Sequence, residues 1–277
     1  MVNKNGEIRN LQRRLEKILR GLKRVAVAFS GGLDSTYLLA VAQRVLGENV
    51  IAYTAVSSVF PPAETERARQ LAKTLNITQV TFEVNHLVIP GFVKNGRDRC
   101  YVCKKNLMTI FRQRMHVDKV SYLLHGENVD DQNDDRPGSL AAAEAGALAP
   151  LVQAGLGKDA IRRLSREMNL ETWNLPSMAC LASRVPFHRA ITEKALGQIA
   201  QAESVLQELG FSVCRVRHHG EVARIEVAAA EIEGLVTAEK RAFITAAFAE
   251  IGFTYVAVDL QGYETGSMNR QTSDRSR

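Results

Sequence analysis

The spacing of apolar positions changes along the chain, and each change marks an element. Ile8, Leu11, Leu15, Ile18, Leu19 and Leu22 recur at helical spacing among charged residues, which predicts an amphipathic helix over 7–22 with Gly21 at its end. Val25 to Phe29 then runs apolar without polar alternation. Such a run predicts a strand covered on both faces, as in a parallel sheet. Helical spacing returns at Leu38, Leu39, Ala42, Val45 and Leu46, and Gly47 stops that helix. Further strand runs lie at 50–56, 80–84 and 120–125. A helix opened by Pro61-Pro62 runs to about Leu75, and another runs from Val102 to Arg114. This β-α-β-α-β rhythm predicts an α/β fold built on a doubly wound parallel sheet.

The pattern shifts further along. Asp134 to Gly138 form a loop before an Ala-rich helix, and 157–169 is a helix with Lys and Arg on its polar side. The stretch 173–186 is irregular, with two prolines and Trp173, and a domain boundary is expected near 188. Beyond it come a long helix over 191–209, strands at 211–217 and 222–228 joined by His218-His219-Gly220-Glu221, a helix over 238–250 and a strand at 253–259. That order predicts a smaller α+β domain over 189–269, for substrate binding or oligomerisation, and a disordered tail over 270–277.

Between the first strand and its helix stands Ser30-Gly31-Gly32-Leu33-Asp34-Ser35. Two glycines permit unusual backbone angles and close approach of a ligand. The N–H groups that follow have no partner within the helix, and the helix dipole favours an anion there. A pyrophosphate suits such a turn. The turn is not a Walker A loop, because no Lys follows the glycines; Asp34 does, where it could hold Mg²⁺ or orient the helix. The plainer reading is an ordinary strand-to-helix turn.

Composition adds limits. The 36 Lys and Arg against 30 Asp and Glu leave a net charge of +6, which fits phosphorylated ligands or a polyanion. No long basic run with interleaved aromatics is present, so a nucleic-acid groove is not indicated. No apolar run spans a bilayer and no signal core opens the chain, so a cytoplasmic protein is expected. In that setting the four cysteines argue against a disulfide framework. Cys100 and Cys103 make a C-x-x-C, and Cys180 stands in the second irregular segment. Three thiolates suit a 4Fe–4S cluster with one open iron. A zinc site completed by His125 or His188, a redox pair, and unrelated structural thiols are the other readings. Cys214 reads as a small buried residue. Glu221 and Glu226 are candidate ligands of a second divalent ion.

The hexapeptide resembles the S-G-G-x-D-S signature of PP-loop ATP pyrophosphatases, whose sheet is Rossmann-like. The resemblance implies that ATP is split between its α- and β-phosphates, with Ser30, Gly31, Gly32, Asp34 and Ser35 holding phosphates and Mg²⁺. Longer phrases are more specific. Gly126-Glu127-Asn128-Val129-Asp130-Asp131, Asp135-Arg136-Pro137-Gly138, Ala179-Cys180-Leu181-Ala182-Ser183-Arg184 and Gly262-Tyr263-Glu264-Thr265-Gly266-Ser267-Met268-Asn269 resemble the LarE family over about residues 10–269. These are ATP-dependent sulfur transferases of nickel-pincer cofactor biosynthesis, in lactate racemase maturation.

The resemblance implies a small-molecule substrate, pyridinium-3,5-biscarboxylic acid mononucleotide. Its carboxylates are adenylylated and converted to thiocarboxylates, with release of AMP and pyrophosphate. Cys180 is the implied sulfur-bearing residue and Asp34 the Mg²⁺ residue. One branch donates the sulfur of its single matching cysteine and turns over once. Another carries three cysteines and resembles cluster-dependent tRNA thiolases. This chain has Cys100, Cys103 and Cys180, so it departs from the single-cysteine pattern and resembles the second, with sacrificial donation of the Cys180 sulfur as the alternative. Arg99, Arg184, Arg215 and Arg217 are the candidates for the acidic substrate, Arg184 foremost because it lies four residues after Cys180. A homo-oligomer, such as a hexamer, is implied as well. The rivals are a tRNA thiolase, an amidotransferase-type synthetase, and an ATP-binding iron–sulfur carrier or regulator without turnover.

Overall fold

The computed structural model describes residues 4–133, 137–176 and 179–264. Asp134, Asp135 and Arg136 of the quoted phrases, Ser177 and Met178, the run from Thr265 to Asn269 and the tail over 270–277 lie outside them. The elements in chain order are α1 (Lys4–Arg20), β1 (Val25–Ala28), α2 (Leu33–Leu46), β2 (Val50–Val56), α3 (Pro62–Thr74), β3 (Thr78–Glu83), α4 (Pro90–Val93), α5 (Arg99–Val117) and β4 (Tyr122–His125). They continue with α6 (Pro137–Glu144), α7 (Pro150–Ala154), α8 (Lys158–Glu167), α9 (Glu193–Glu208), β5 (Cys214–His219), β6 (Val222–Val227), α10 (Ile232–Leu235), α11 (Ala238–Ile251) and β7 (Tyr255–Val258).

The chain divides into two compact units. The first takes residues 1–57, 62–84 and 98–178, and the second takes 58–61, 85–97 and 179–277. The second unit thus draws two short segments from well before residue 188.

In the first unit β1 to β4 form a parallel sheet in the order β3-β2-β1-β4, flanked by helices in an α/β, Rossmann-like core. The unbroken apolar run of β1 has the expected cause. Val25 and Val27 pack with Leu38, Val41 and Leu15 on one face, while Ala26 packs with Met108 and Phe111 on the other. A strand buried on both faces has no room for polar alternation. β3, at the sheet edge, is half exposed.

In the second unit β5 and β6 pair antiparallel and β6 and β7 pair parallel, a small mixed sheet. Its core is filled by Ala202 and Leu206 of α9, Phe248 of α11, and Val216, Ala223 and Ile225. Two differences from the reading of the pattern bear on the candidate residues. α5 begins at Arg99 and not at Val102, so Cys100 and Cys103 lie within its first turns. The charged opening Arg99-Cys100-Tyr101 carries no apolar stripe to mark it as helix. β5 runs through His218 and His219, which pair with Ala223 and Val222, so only Gly220-Glu221 makes the turn.

Candidate functional site

The phosphate-type turn of the first unit leaves β1 at Ala28, and Gly32 is the residue that precedes the first turn of α2. Gly31 has φ +72°, in the left-handed region where glycine is favoured. A Cβ there would stand 3.0 Å from Ala68 Cα, so α3 packs directly on the turn. Ser30 and Ser35 brace it from within. Their hydroxyls are 3.1 Å apart, and Ser35 Oγ donates to the Gly32 carbonyl at 3.2 Å. Gly126, just past β4, is tight for the same reason, since a Cβ there would stand 2.9 Å from Ser35 N. The carboxyl ends of β1 and β4 therefore meet at the start of α2. Ligands of open parallel sheets bind beyond the carboxyl ends of strands. Asp34 sits in the first turn of α2, beside the N–H groups that have no helical partner.

Cys100 and Cys103 lie one turn apart on one side of α5, where side chains three apart are neighbours. Cys100 is exposed and Cys103 is half-buried. Lys104 follows them. Burial pushes its ammonium below the ordinary lysine range, and Cys103 and Glu127 oppose the shift. His125, buried at the end of β4, is held down to about 3 by burial and then by Lys104, so it is neutral at pH 7. Its Nε2 lies 3.6 Å from Glu127 Oε2, a contact of a neutral ring and not an ion pair.

The aspartates of the phrase Gly126 to Asp131 bond the start of α8. Asp130 Oδ2 accepts the Lys158 backbone N–H at 2.7 Å, at the start of α8, and Asp131 pairs with Lys158 Nζ at 3.2 Å. The fully buried Asn128 donates to Asp131 and accepts from the Asp130 N–H.

In the second unit Cys180 precedes a single 3₁₀ turn, Leu181–Arg184, and is half-buried. Arg184 is fully buried. Its Nε and Nη2 bond the two oxygens of Glu203, each at 2.9 Å. Its Nη1 donates to the carbonyls of Ala179 and Cys180 and to Ser183 Oγ. The guanidinium thus ties the Cys180 loop to α9. Glu203 Oε1 also accepts the Val216 N–H at 3.0 Å, which carries the tie on to β5. Arg215 donates to the Cys214 carbonyl at 2.7 Å and lies 5.1 Å from the Tyr263 ring centre. Burial, and then Arg184, push Arg215 below its ordinary value. Arg217 donates to the Ser183 carbonyl at 3.3 Å and pairs with Glu226 at 2.6 Å. Glu226 also pairs with Arg224, so its carboxylate is engaged by arginines and is not laid out for a divalent ion. Burial pushes the Cys214 thiol up to about 12, consistent with an inert packing residue.

The pattern reading gave no role to Arg67, Lys104, Glu203 or Tyr263. Two of them carried a signal: Glu203 is an acidic residue in the apolar stripe of Leu196, Ile199 and Leu206, and Tyr263 stands in a family phrase. As for a metal or cluster, three soft thiolates are the right donor chemistry for iron–sulfur. Cys100 and Cys103 share one helix side in the first unit, and Cys180 belongs to the second. No group of three or more His, Cys, Asp or Glu that could hold a metal is assembled among the described residues. No helix among them is long and apolar enough to cross a membrane.

Residues 9–89 match the asparagine synthase family model. An uncharacterised protein of Synechocystis sp. is 36% identical over 256 residues, covering 92% of this chain and 96% of its own. The pyridinium-3,5-bisthiocarboxylic acid mononucleotide synthase of Lactiplantibacillus plantarum is 35% identical over 252 residues, 91% of each chain. A chain of the glutamine-hydrolysing GMP synthase of Methanosarcina barkeri is 21% identical over 206 residues, 70% of this chain and 68% of its own.

Proposed function

The chain belongs to the family of the pyridinium-3,5-bisthiocarboxylic acid mononucleotide synthase, LarE, and from that premise we propose that it is an ATP-dependent sulfur transferase acting on the pyridinium-3,5-biscarboxylic acid mononucleotide. The observation that carries this reading is a similarity to the synthase along nearly the whole of both chains. The turn between β1 and α2 supports it, because N–H groups at a helix start and Asp34 are the parts that polyphosphate and Mg²⁺ call for.

The chemistry has a simple logic. A carboxylate is a poor electrophile because its oxygen is a poor leaving group. Its attack on the α-phosphorus of ATP forms an acyl adenylate and releases pyrophosphate. A sulfur nucleophile then forms the C–S bond, and the C–O bond to AMP breaks. Ser30, Gly31, Gly32 and Ser35 hold the phosphates, and Asp34 holds Mg²⁺. Arg184, Arg215 and Arg217 are the arginines proposed for the acidic mononucleotide, with the charges of Arg184 and Arg217 already matched by Glu203 and Glu226. Cys100, Cys103 and Cys180 are the residues that would hold a 4Fe–4S cluster. When bound, such a cluster keeps one iron open to carry sulfide. Cys180, with its loop bonded by Arg184, is the residue at the sulfur-bearing end. The protein acts in this reading as a cytoplasmic homo-oligomer.

The test is iron and acid-labile sulfide per chain in anaerobically purified protein, with intact mass before and after turnover. About four irons per chain, lost in Cys100→Ala, Cys103→Ala or Cys180→Ala, with thiocarboxylate product and unchanged mass, is the expected result. Absence of iron and a chain lighter by one H₂S at Cys180 would replace it with sacrificial donation. Product formation with no pyrophosphate, or full pyrophosphate release by Asp34→Ala, would remove the ATP site as assigned.

A further inference from the structure

The turn between β1 and α2 has no lysine, yet a polyphosphate there needs both positive charge and correctly aimed donors. The flanking residues Gly31 and Gly32 leave the peptide between them free to turn. What holds it is a residue from another element. Arg67 of α3 donates from Nε to the Gly31 carbonyl at 3.2 Å. It does so from a fixed platform, because its neighbour Ala68 packs against Gly31.

The consequence is geometric. No peptide bond is cis among the described residues. In a trans, planar peptide the N–H points opposite to the C=O. Drawing the Gly31 carbonyl toward Arg67 therefore turns the Gly32 N–H away from Arg67. That N–H meets Ser30 Oγ at 3.4 Å, at the long end of hydrogen-bond distances. A neutral acceptor held so loosely gives way readily to an anionic one. Gly32 also caps the start of α2, so this donor adds to the positive end of the α2 dipole.

We propose that Arg67 is a positioning residue for the phosphate turn, fixing the Gly31–Gly32 peptide so that the Gly32 N–H faces the polyphosphate. The inference rests on the ATP reading above and adds the residue that orients its turn. Its guanidinium also brings positive charge to a turn that has no lysine of its own.

The experiment is calorimetric titration of the full chain and of Arg67→Ala with Mg²⁺-pyrophosphate and with Mg²⁺-ATP, alongside thermal unfolding without ligand. Arg67→Ala is expected to bind both about ten- to a hundred-fold more weakly, the scale of one hydrogen bond to a charged group. Its unliganded melting should stay close to that of the parent, and added ethylguanidinium should restore part of the affinity. Arg67→Met keeps the aliphatic stem and serves where the alanine variant folds poorly. Unchanged affinity in both variants, or loss that tracks melting and is not rescued, overturns the inference alone. A parent chain that binds neither ligand overturns the ATP reading, and the inference with it.

Discussion

Arg184 and Glu203 show what a single side chain does in this protein. A buried guanidinium is tolerated only when its charge is matched and its N–H groups have acceptors. Arg184 meets both needs with one carboxylate and the backbone of the Cys180 loop. Removing the charge of the partner leaves the guanidinium buried without it. Glu203→Gln is therefore expected to cost about 3–5 kcal/mol in urea unfolding, the scale for breaking a buried pair. The loop should loosen with it, so the Cys180 thiol should react faster with an aromatic disulfide reagent. Unchanged stability and thiol reactivity would mean that Arg184 does not hold the loop. Arg184 is legible in the sequence as a basic residue close to Cys180. Nothing in the sequence ties it to its partner, 19 residues on.

At the level of elements, the site of the first unit is made by close approaches of backbone. α3 meets the turn at Gly31, and the start of α2 meets the end of β4 at Gly126. A side chain at Gly31 must both adopt a positive φ and displace the α3 backbone. Gly31→Ala is expected to lose about 1–3 kcal/mol, the range for backbone strain of this kind, and to weaken Mg²⁺-ATP binding. Thermal unfolding and titration of that variant check both effects, and an alanine variant that melts and binds like the parent would refute the crowding argument. The strand, turn and helix themselves are readable, because their signals are local: an unbroken apolar run, two glycines and a helical stripe. The start of α5 is not readable. Its first residues are charged and polar, and only the structure shows that Arg99 is buried and that both thiols sit in the helix.

At the scale of the whole molecule, the second unit is assembled from three stretches of chain. Asn95, fully buried with φ +54°, shows why 85–97 belongs to it. Its Nδ2 donates toward the carbonyls of Val185, Pro186 and Arg189, and its own carbonyl accepts the His188 N–H. A fragment of residues 179–277 lacks these donors and the apolar Phe92 beside them. It is expected to melt without the cooperative transition expected of this unit in the full chain. A sharp transition in calorimetry of the fragment alone would show that the earlier segments are dispensable. A boundary near 188 is suggested by the irregular run before it, which is a local mark. The recruitment of 58–61 and 85–97 leaves no such mark, because it depends on contacts made after the chain has folded back.

By itself the sequence determined the features that neighbouring residues decide among themselves. These are a buried strand, a glycine turn opening a helix, a C-x-x-C pair and the family phrases around Cys180. Periodicity and turn chemistry act over a few residues, so they can be read without a fold. The tertiary structure decided the partnerships. It set the strand order β3-β2-β1-β4, placed Arg67 on the Gly31 carbonyl, gave Asp130 to the start of α8 and gave Arg184 to Glu203. Each of these joins groups that the chain brings together only by closing a loop. The physical reason is that burial demands a partner for every charge and polar group, and topology alone determines which partner is within reach.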